Sequence, residues 1–198
     1  MKTVDTIIRQ LTEPSVLLRE VKETLRTLDP EYPDVEKLYL QAVGTLEREV
    51  GPRAKEYLAA LEQEIASDII FAGWQGFKLN LDCFTNPVNK LLLREGFEDL
   101  HLEHRMPTLP MAQSARRTIN AFLDTLPPEK HHLISGITSY YSYLQTTAYK
   151  LAHYFGFCLA NQFLNYVIPG YTSDSFLTDQ YTWEMRSFLK FDVTELCI

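Results

Sequence analysis

The stretch that most constrains the fold is YKLAHYFGFCLANQF, residues 149–163, which carries one formal charge among aromatic and aliphatic side chains. A helix with so few charges is not expected to face water along its length. No window of 18 uninterrupted apolar residues surrounds it, because His153, Asn161, Gln162 and Asn165 interrupt the most apolar part. Those polar groups would be costly against lipid, so we expect a buried core helix and no membrane span.

Charge is unevenly distributed around this stretch. Residues 131–198 hold three of the 19 Lys and Arg residues and five of the 26 Asp and Glu residues, but eight of the 11 tyrosines. A chain of 198 residues is long enough for one self-sufficient core. We therefore predict a single domain covering residues 1–198, in which charged helices from 1–130 pack around aromatic-rich helices from 131–198.

The remaining segments are typical of helices separated by proline and glycine. The clearest one places apolar residues at helical spacing between an N-cap at Asp34 and a C-cap at Gly51. Residues 73–84 give no clear prediction, because Gly73 and Gly76 weaken the helical pattern and a short extended piece could follow them. Further helices are predicted from Pro14 to Pro30, from Pro52 onward, and over 86–96, 111–126, 128–168 and 179–191. The fold class is thus an all-α helical bundle of about six or seven helices around a charge-poor, Tyr-rich C-terminal helix.

A stripe of small residues runs along the C-terminal helix at four-residue spacing. Small side chains at this spacing allow another helix to approach closely. We interpret the stripe as a packing surface, for which Ala72, Gly73 and Gly76 are candidate partners. Its members are Ala148, Ala152, Gly156 and Ala160.

The opposite face of the same helix is polar but almost uncharged, and it allows three interpretations. Its hydroxyls could bond back to the carbonyls of their own helix. The strip could instead line a ligand cavity, with Ser142, Thr146, Lys150 and His153 as the binding residues. It could also be a homo-oligomer interface, since tyrosines suit such surfaces; the interface residues would then be Tyr140, Tyr141, Tyr143 and Tyr149. His153 alone is more typical of a hydrogen-bonded core histidine than of a ligand or catalytic base.

The most metal-like string is FEDLHLEH, where Glu98, His101 and His104 share one side if the segment is helical. Two imidazoles and a carboxylate could hold zinc or non-haem iron. The string has no fourth ligand and no HExxH spacing, so we favour a solvated helical surface. A di-iron site is disfavoured as well, because the aromatic helix lacks the inward carboxylates that such bundles use. No cofactor is expected.

Composition and motifs disfavour several classes of partner and of enzyme. The net charge of −7 and a pI near 5.2 disfavour nucleic acid and anionic membranes as partners. The sequence has no nucleophile elbow, phosphate-binding glycine loop or dinucleotide fingerprint. Its three cysteines match no zinc pattern, and reduced thiols in a soluble, cytoplasmic protein are the simplest expectation.

We therefore predict a non-enzymatic module for protein–protein interaction, whose partner is another protein or a second copy of the chain. The alternative is a helical bundle that binds a small molecule or a metal and could be an enzyme. It would use either the Glu98, His101 and His104 string or the polar strip that contains His153.

Overall fold

The computed structural model describes residues 3–86, 110–171, 175–189 and 191–197. These residues are mostly helical and contain no β-strand, which confirms the all-α prediction. Short 3₁₀ helices cover Pro128–Ile134 and Thr194–Cys197, and a π turn covers Leu144–Ala148. The α-helices are α1 (Val4–Thr12), α2 (Pro14–Leu28), α3 (Tyr32–Val50), α4 (Pro52–Thr85), α5 (Pro110–Thr125), α6 (Ser135–Tyr143), α7 (Tyr149–Val167) and α8 (Ser175–Leu189).

The local signals for helix ends are mostly confirmed. Gly51 follows the last residue of α3 with a φ of +73°, a conformation that glycine adopts without strain. Pro52 then opens α4, where its missing N–H costs nothing. The N-cap prediction at Asp34 is wrong, because α3 begins at Tyr32 and Asp34 lies inside its first turn. A carboxylate there is favoured by the helix dipole instead.

α4 is a continuous helix of 34 residues that includes the ambiguous 73–84 segment. Gly73 and Gly76 therefore do not end it, and the extended piece suggested after them is absent from the described residues. α1 was not anticipated; the Thr3 hydroxyl caps it by accepting from the Thr6 N–H. The helix predicted over 86–96 lies outside the described residues beyond Asn86.

α7 is the most enclosed element of the described structure. Every residue from 151 to 161 is buried. The surrounding elements are α1, α2, α4, α8 and the C-terminal 3₁₀ turn, and α4 makes by far the most extensive contact. Of these neighbours, α1, α2 and α4 come from the more charged residues 1–130, whereas α8 and the 3₁₀ turn come from the charge-poor residues 131–198. None of the described helices combines the length and the apolar character needed to cross a membrane.

α4 and α7 run parallel and touch at their backbones. A Cβ added at Gly76 would overlap the carbonyl oxygen of His153, and one added at Gly156 would overlap the carbonyl oxygen of Gly73. Farther along both helices, the Asn80 amide donates to the carbonyl oxygen of Phe157 at 2.8 Å. The small-residue stripe is thus a packing surface, as predicted: Gly73 meets Ala152 and Gly156 of the stripe, and Gly76 meets the adjacent backbone of His153 and Phe157.

α2 runs antiparallel to α4, since Leu17 lies beside Gly73 and Lys22 beside Glu62. α5 is antiparallel to α4 as well, since Arg53 bonds to Thr125 and Arg116 bonds to Glu64. The rings of Tyr57 in α4 and Phe122 in α5 stack at 4.3 Å between centroids. α6 packs against α3, with Gly136 next to Ala42. Because α6 continues through the π turn into α7, residues 135–167 form one rod whose two halves have different neighbours.

Candidate functional site

Two of the tyrosines proposed for an interface are buried within the chain. Tyr140 and Tyr141 are 2% and 7% exposed. The Tyr140 ring stacks on Tyr39 of α3 at 4.1 Å between centroids, and its hydroxyl lies 3.0 Å from that of Tyr32. These rings join α6 to α3, so they offer almost no surface to a partner, and their assignment to an interface is corrected here.

The other two tyrosines are half-buried. The Tyr143 hydroxyl donates to the carboxylate of Asp29 at the end of α2, so this residue also makes an intramolecular contact. Burial raises the pKa of Tyr140 to about 12 and also raises the pKa of Tyr149. Sequence reasoning recognised the amphipathic character of the rings but could not tell an inward face from an outward one.

The polar strip does not converge on one site. Thr146 is exposed, and its hydroxyl donates to the carbonyl oxygens of Ser142 and Tyr143 in its own helix. Ser142 is exposed too, and Lys150 is half-buried, whereas His153 is buried and hydrogen-bonded to the Tyr181 hydroxyl of α8. The local-bonding interpretation is therefore confirmed for Thr146, and the core-histidine interpretation for His153.

The π turn explains in part why these polar residues face different surroundings. A π turn adds a residue to one helical turn, so positions after it are rotated relative to a regular helix. Ser142 lies before the turn and His153 after it, so the regular helical spacing that would place them on one face does not hold between them. His153 therefore faces α8 and does not share the exposed surface of Ser142 and Thr146.

The metal-like string of Glu98, His101 and His104 lies outside the described residues. In the part of the chain that the structure describes, no group of three His, Cys, Asp or Glu side chains is arranged to hold a metal. Metal binding at the string stays a prediction.

The expectation for the cysteines needs one correction. Cys83 is a buried free thiol, as expected. Cys158 is buried in α7 and takes part in a disulfide. Cys158 is therefore not a free thiol in this structure, which differs from the expectation.

An aromatic ridge, which we define as Trp74, Phe77 and Phe163, lies across α4 and α7. Its rings are in contact, with centroids 5.7 Å apart for both Trp74–Phe77 and Phe77–Phe163. Ile7 and Leu11 of α1 pack on the same cluster, which is separate from the main core. Trp74 is 46% exposed, and Ile8, beside Ile7 in α1, is 51% exposed. The ridge is thus a partly exposed apolar surface that sequence reasoning did not identify.

One buried carboxylate, Asp68, lies beside the π turn with more exposed polar groups around it. Asp68 of α4 is only 8% exposed, and burial raises its pKa to about 6, with a further increase from Glu64. Arg116 of α5 and a hydrogen bond with Gln145 of the π turn act in the opposite direction. Because Arg116 donates to Glu64 at 2.5 Å, its charge is shared between two carboxylates.

Comparisons with protein-family models, with curated proteins and with solved structures find no match to this chain.

Proposed function

We propose that the protein is a non-enzymatic interaction module that self-associates, and that a second copy of the chain docks on the aromatic ridge. The observation that supports this most directly is the exposure of Trp74, whose ring contacts Phe77 of a preformed aromatic cluster. Exposed tryptophans at the edge of a packed apolar surface are frequent anchors of protein interfaces. The proposal keeps the predicted function class but places the interface on different residues.

The charges around the ridge favour a second copy as the occupant. Asp5 lies one turn before Ile8 on α1, and Lys78 lies one turn after Trp74 on α4; both are exposed. In a two-fold dimer the same patch meets itself, so a residue on one side of the patch faces a residue on the other side. We propose that Asp5 of one copy faces Lys78 of the other, which would give two opposite-charge contacts per dimer.

Light scattering coupled to size-exclusion chromatography, over loading concentrations from about 1 to about 100 µM, tests the proposal. We expect the wild-type chain to shift from monomer to dimer within that range. Trp74→Glu should remove the dimer, because it places a charge at the centre of the contact. Trp183→Glu is the matched control, since Trp183 is 66% exposed and lies on α8, a helix that contributes no residue to the ridge.

A charge exchange tests the two-fold arrangement itself. Asp5→Lys and Lys78→Asp should each weaken the dimer, because each places like charges opposite one another. The double variant should restore dimerisation to near the wild-type level. A wild-type chain that stays monomeric at about 100 µM, or a dimer lost through Trp183→Glu and kept in Trp74→Glu, would contradict the proposal.

A further inference from the structure

A groove of about 500 Å³ lies between α2 and α4, away from the aromatic ridge. Its apolar lining comes from Pro14 and Leu18 of α2 and from Ala59 and Ala66 of α4, and Glu62 and Gln63 of α4 also line it. The two alanines stand two turns apart and leave room that larger side chains would fill. Volumes of this size are typical of sites for small organic ligands.

One edge of the groove is basic. Arg19, Lys22 and Arg26 lie at spacings of three and four residues on one face of α2, so their charges extend over about 10 Å of the helix. This basic edge contrasts with the net charge of −7 of the whole chain. A ligand that carries a negative charge would be favoured here and disfavoured over most of the remaining surface.

The three cations differ in how far they are already neutralised. Arg26 donates two hydrogen bonds to the Glu36 carboxylate, at 2.7 and 2.9 Å. The Lys22 ammonium lies 3.4 Å from the Glu62 carboxylate and retains other donors. Arg19 is exposed and makes no ion pair with any residue that the structure describes. Positive charge is therefore concentrated at the Arg19 end of the groove.

We infer that this groove binds a small amphipathic organic anion, whose apolar body contacts Leu18, Ala59 and Ala66 and whose anionic head is held by Arg19 and Lys22. Carboxylate, sulfonate and phosphate heads share this chemistry, since a guanidinium donates to two oxygens of each. The inference goes beyond self-association, because none of these residues belongs to the aromatic ridge. It places small-molecule binding on residues other than the polar strip.

Anilinonaphthalene sulfonate is a suitable probe, because it joins an aromatic body to one sulfonate and becomes fluorescent in an apolar site. We expect a saturable titration with one site per chain and a dissociation constant of about 10–100 µM at low salt. N-phenyl-naphthylamine, which lacks the sulfonate, should bind at least about tenfold more weakly, because it forms no ion pair with Arg19.

Three variants locate the site. Arg19→Glu should weaken sulfonate binding by about tenfold or more while leaving the uncharged probe almost unaffected. Ala59→Leu should weaken both probes, because it fills the groove. Arg48→Glu is the matched control; it makes the same charge change at an exposed position of α3 and should leave binding within about twofold of wild type.

Trp74→Glu distinguishes the groove from the aromatic ridge. Sulfonate binding should persist in this variant even if dimerisation is lost, so the groove and the proposed self-association are tested separately. Thermal unfolding of each variant checks that the fold is retained. Absence of saturable binding, loss of binding in Trp74→Glu, or equal binding by wild type and the folded Arg19→Glu and Ala59→Leu variants would overturn the inference.

Discussion

The rod formed by residues 135–167 is held in two different ways along its length. In its second half, α7 meets α4 through glycines, and the two backbones are in direct contact at Gly76 and Gly156. In its first half, α6 meets α3 through large rings, among them the stacked pair Tyr39 and Tyr140. At these glycines the α4–α7 contact contains no side chain that could change its conformation to make room, whereas the α3–α6 contact contains several.

This difference bears on what each contact tolerates. At the glycine contact an added carbon meets a backbone carbonyl, which cannot move without displacing a helix. At the tyrosine contact a lost hydroxyl leaves the stacked rings in place, so most of the buried area is retained. The π turn between the two halves lets one continuous rod pack against both α3 and α4. Asp68 of α4 contacts this turn through a hydrogen bond with Gln145.

The most severe test of the glycine contact is Gly76→Ala. The new Cβ would overlap the carbonyl oxygen of His153, so α4 and α7 must separate along the crossing. We expect a loss of about 3 kcal/mol or more in the free energy of unfolding, measured by urea denaturation followed by circular dichroism.

Gly44→Ala is the matched control for that substitution. Gly44 lies inside α3 and an added Cβ would meet nothing within 4 Å. Because alanine favours the helix over glycine, this variant should gain about 0.5–1 kcal/mol. Equal effects of the two substitutions would show that the α4–α7 backbones are not in contact.

The junction between the two contacts is predicted to respond to pH through Asp68. Its pKa is raised to about 6 from an ordinary value of 3.8, so the folded chain holds this proton more tightly than the unfolded chain does. The contribution of protonated Asp68 to the free energy of unfolding is present at low pH and is lost as the pH rises from about 4 to about 6. Two pKa units correspond to about 3 kcal/mol, which is an upper bound.

Asp68→Asn should abolish this part of the pH dependence. The variant should be more stable than the wild type by about 2 kcal/mol at pH 7.5, and the gap should narrow toward pH 4.5, as measured by urea denaturation at several pH values. Asp124→Asn, at an exposed carboxylate of α5, is the control and should give a nearly constant difference. If the difference in the free energy of unfolding between Asp68→Asn and the wild type did not change with pH, burial would not raise the pKa of Asp68.

The tyrosine contact should be much less sensitive. Tyr140→Phe keeps the ring and removes only the hydroxyl that lies 3.0 Å from the hydroxyl of Tyr32. We expect a loss of about 1 kcal/mol in the free energy of unfolding. A double-mutant cycle with Tyr32→Phe should give a coupling energy of about 0.5–1 kcal/mol, and a coupling near zero would exclude that hydrogen bond.

The smallest effect is expected on the exposed side of the rod. The Thr146 hydroxyl bonds only to carbonyls of its own helix, which already have helical partners nearby. Thr146→Ala should therefore change the free energy of unfolding by less than about 0.5 kcal/mol. A loss of more than about 1 kcal/mol would mean that Thr146 has a role beyond local bonding.

Several local features could be predicted because they depend on few neighbouring residues. Gly51 followed by Pro52 marks the end of α3 and the start of α4 whatever surrounds them. Of the candidate sites, sequence reasoning anticipated only that His153 is a core histidine and that Thr146 bonds locally. The aromatic ridge was missed because its rings come from α4 and α7, which are far apart in the sequence.

The sequence by itself determined that the chain is helical and that residues 151–161 are enclosed, because a segment with almost no charge cannot remain in water along its length. It also marked the small-residue stripe, since spacing alone places such residues on one face. Only the tertiary structure decided that α4 continues through Gly73 and Gly76, where the α7 backbone takes the space that side chains would need. It also decided that Tyr140 faces inward while Trp74 stays exposed, because an aromatic ring suits a core and an interface equally well and only the neighbouring helices distinguish the two.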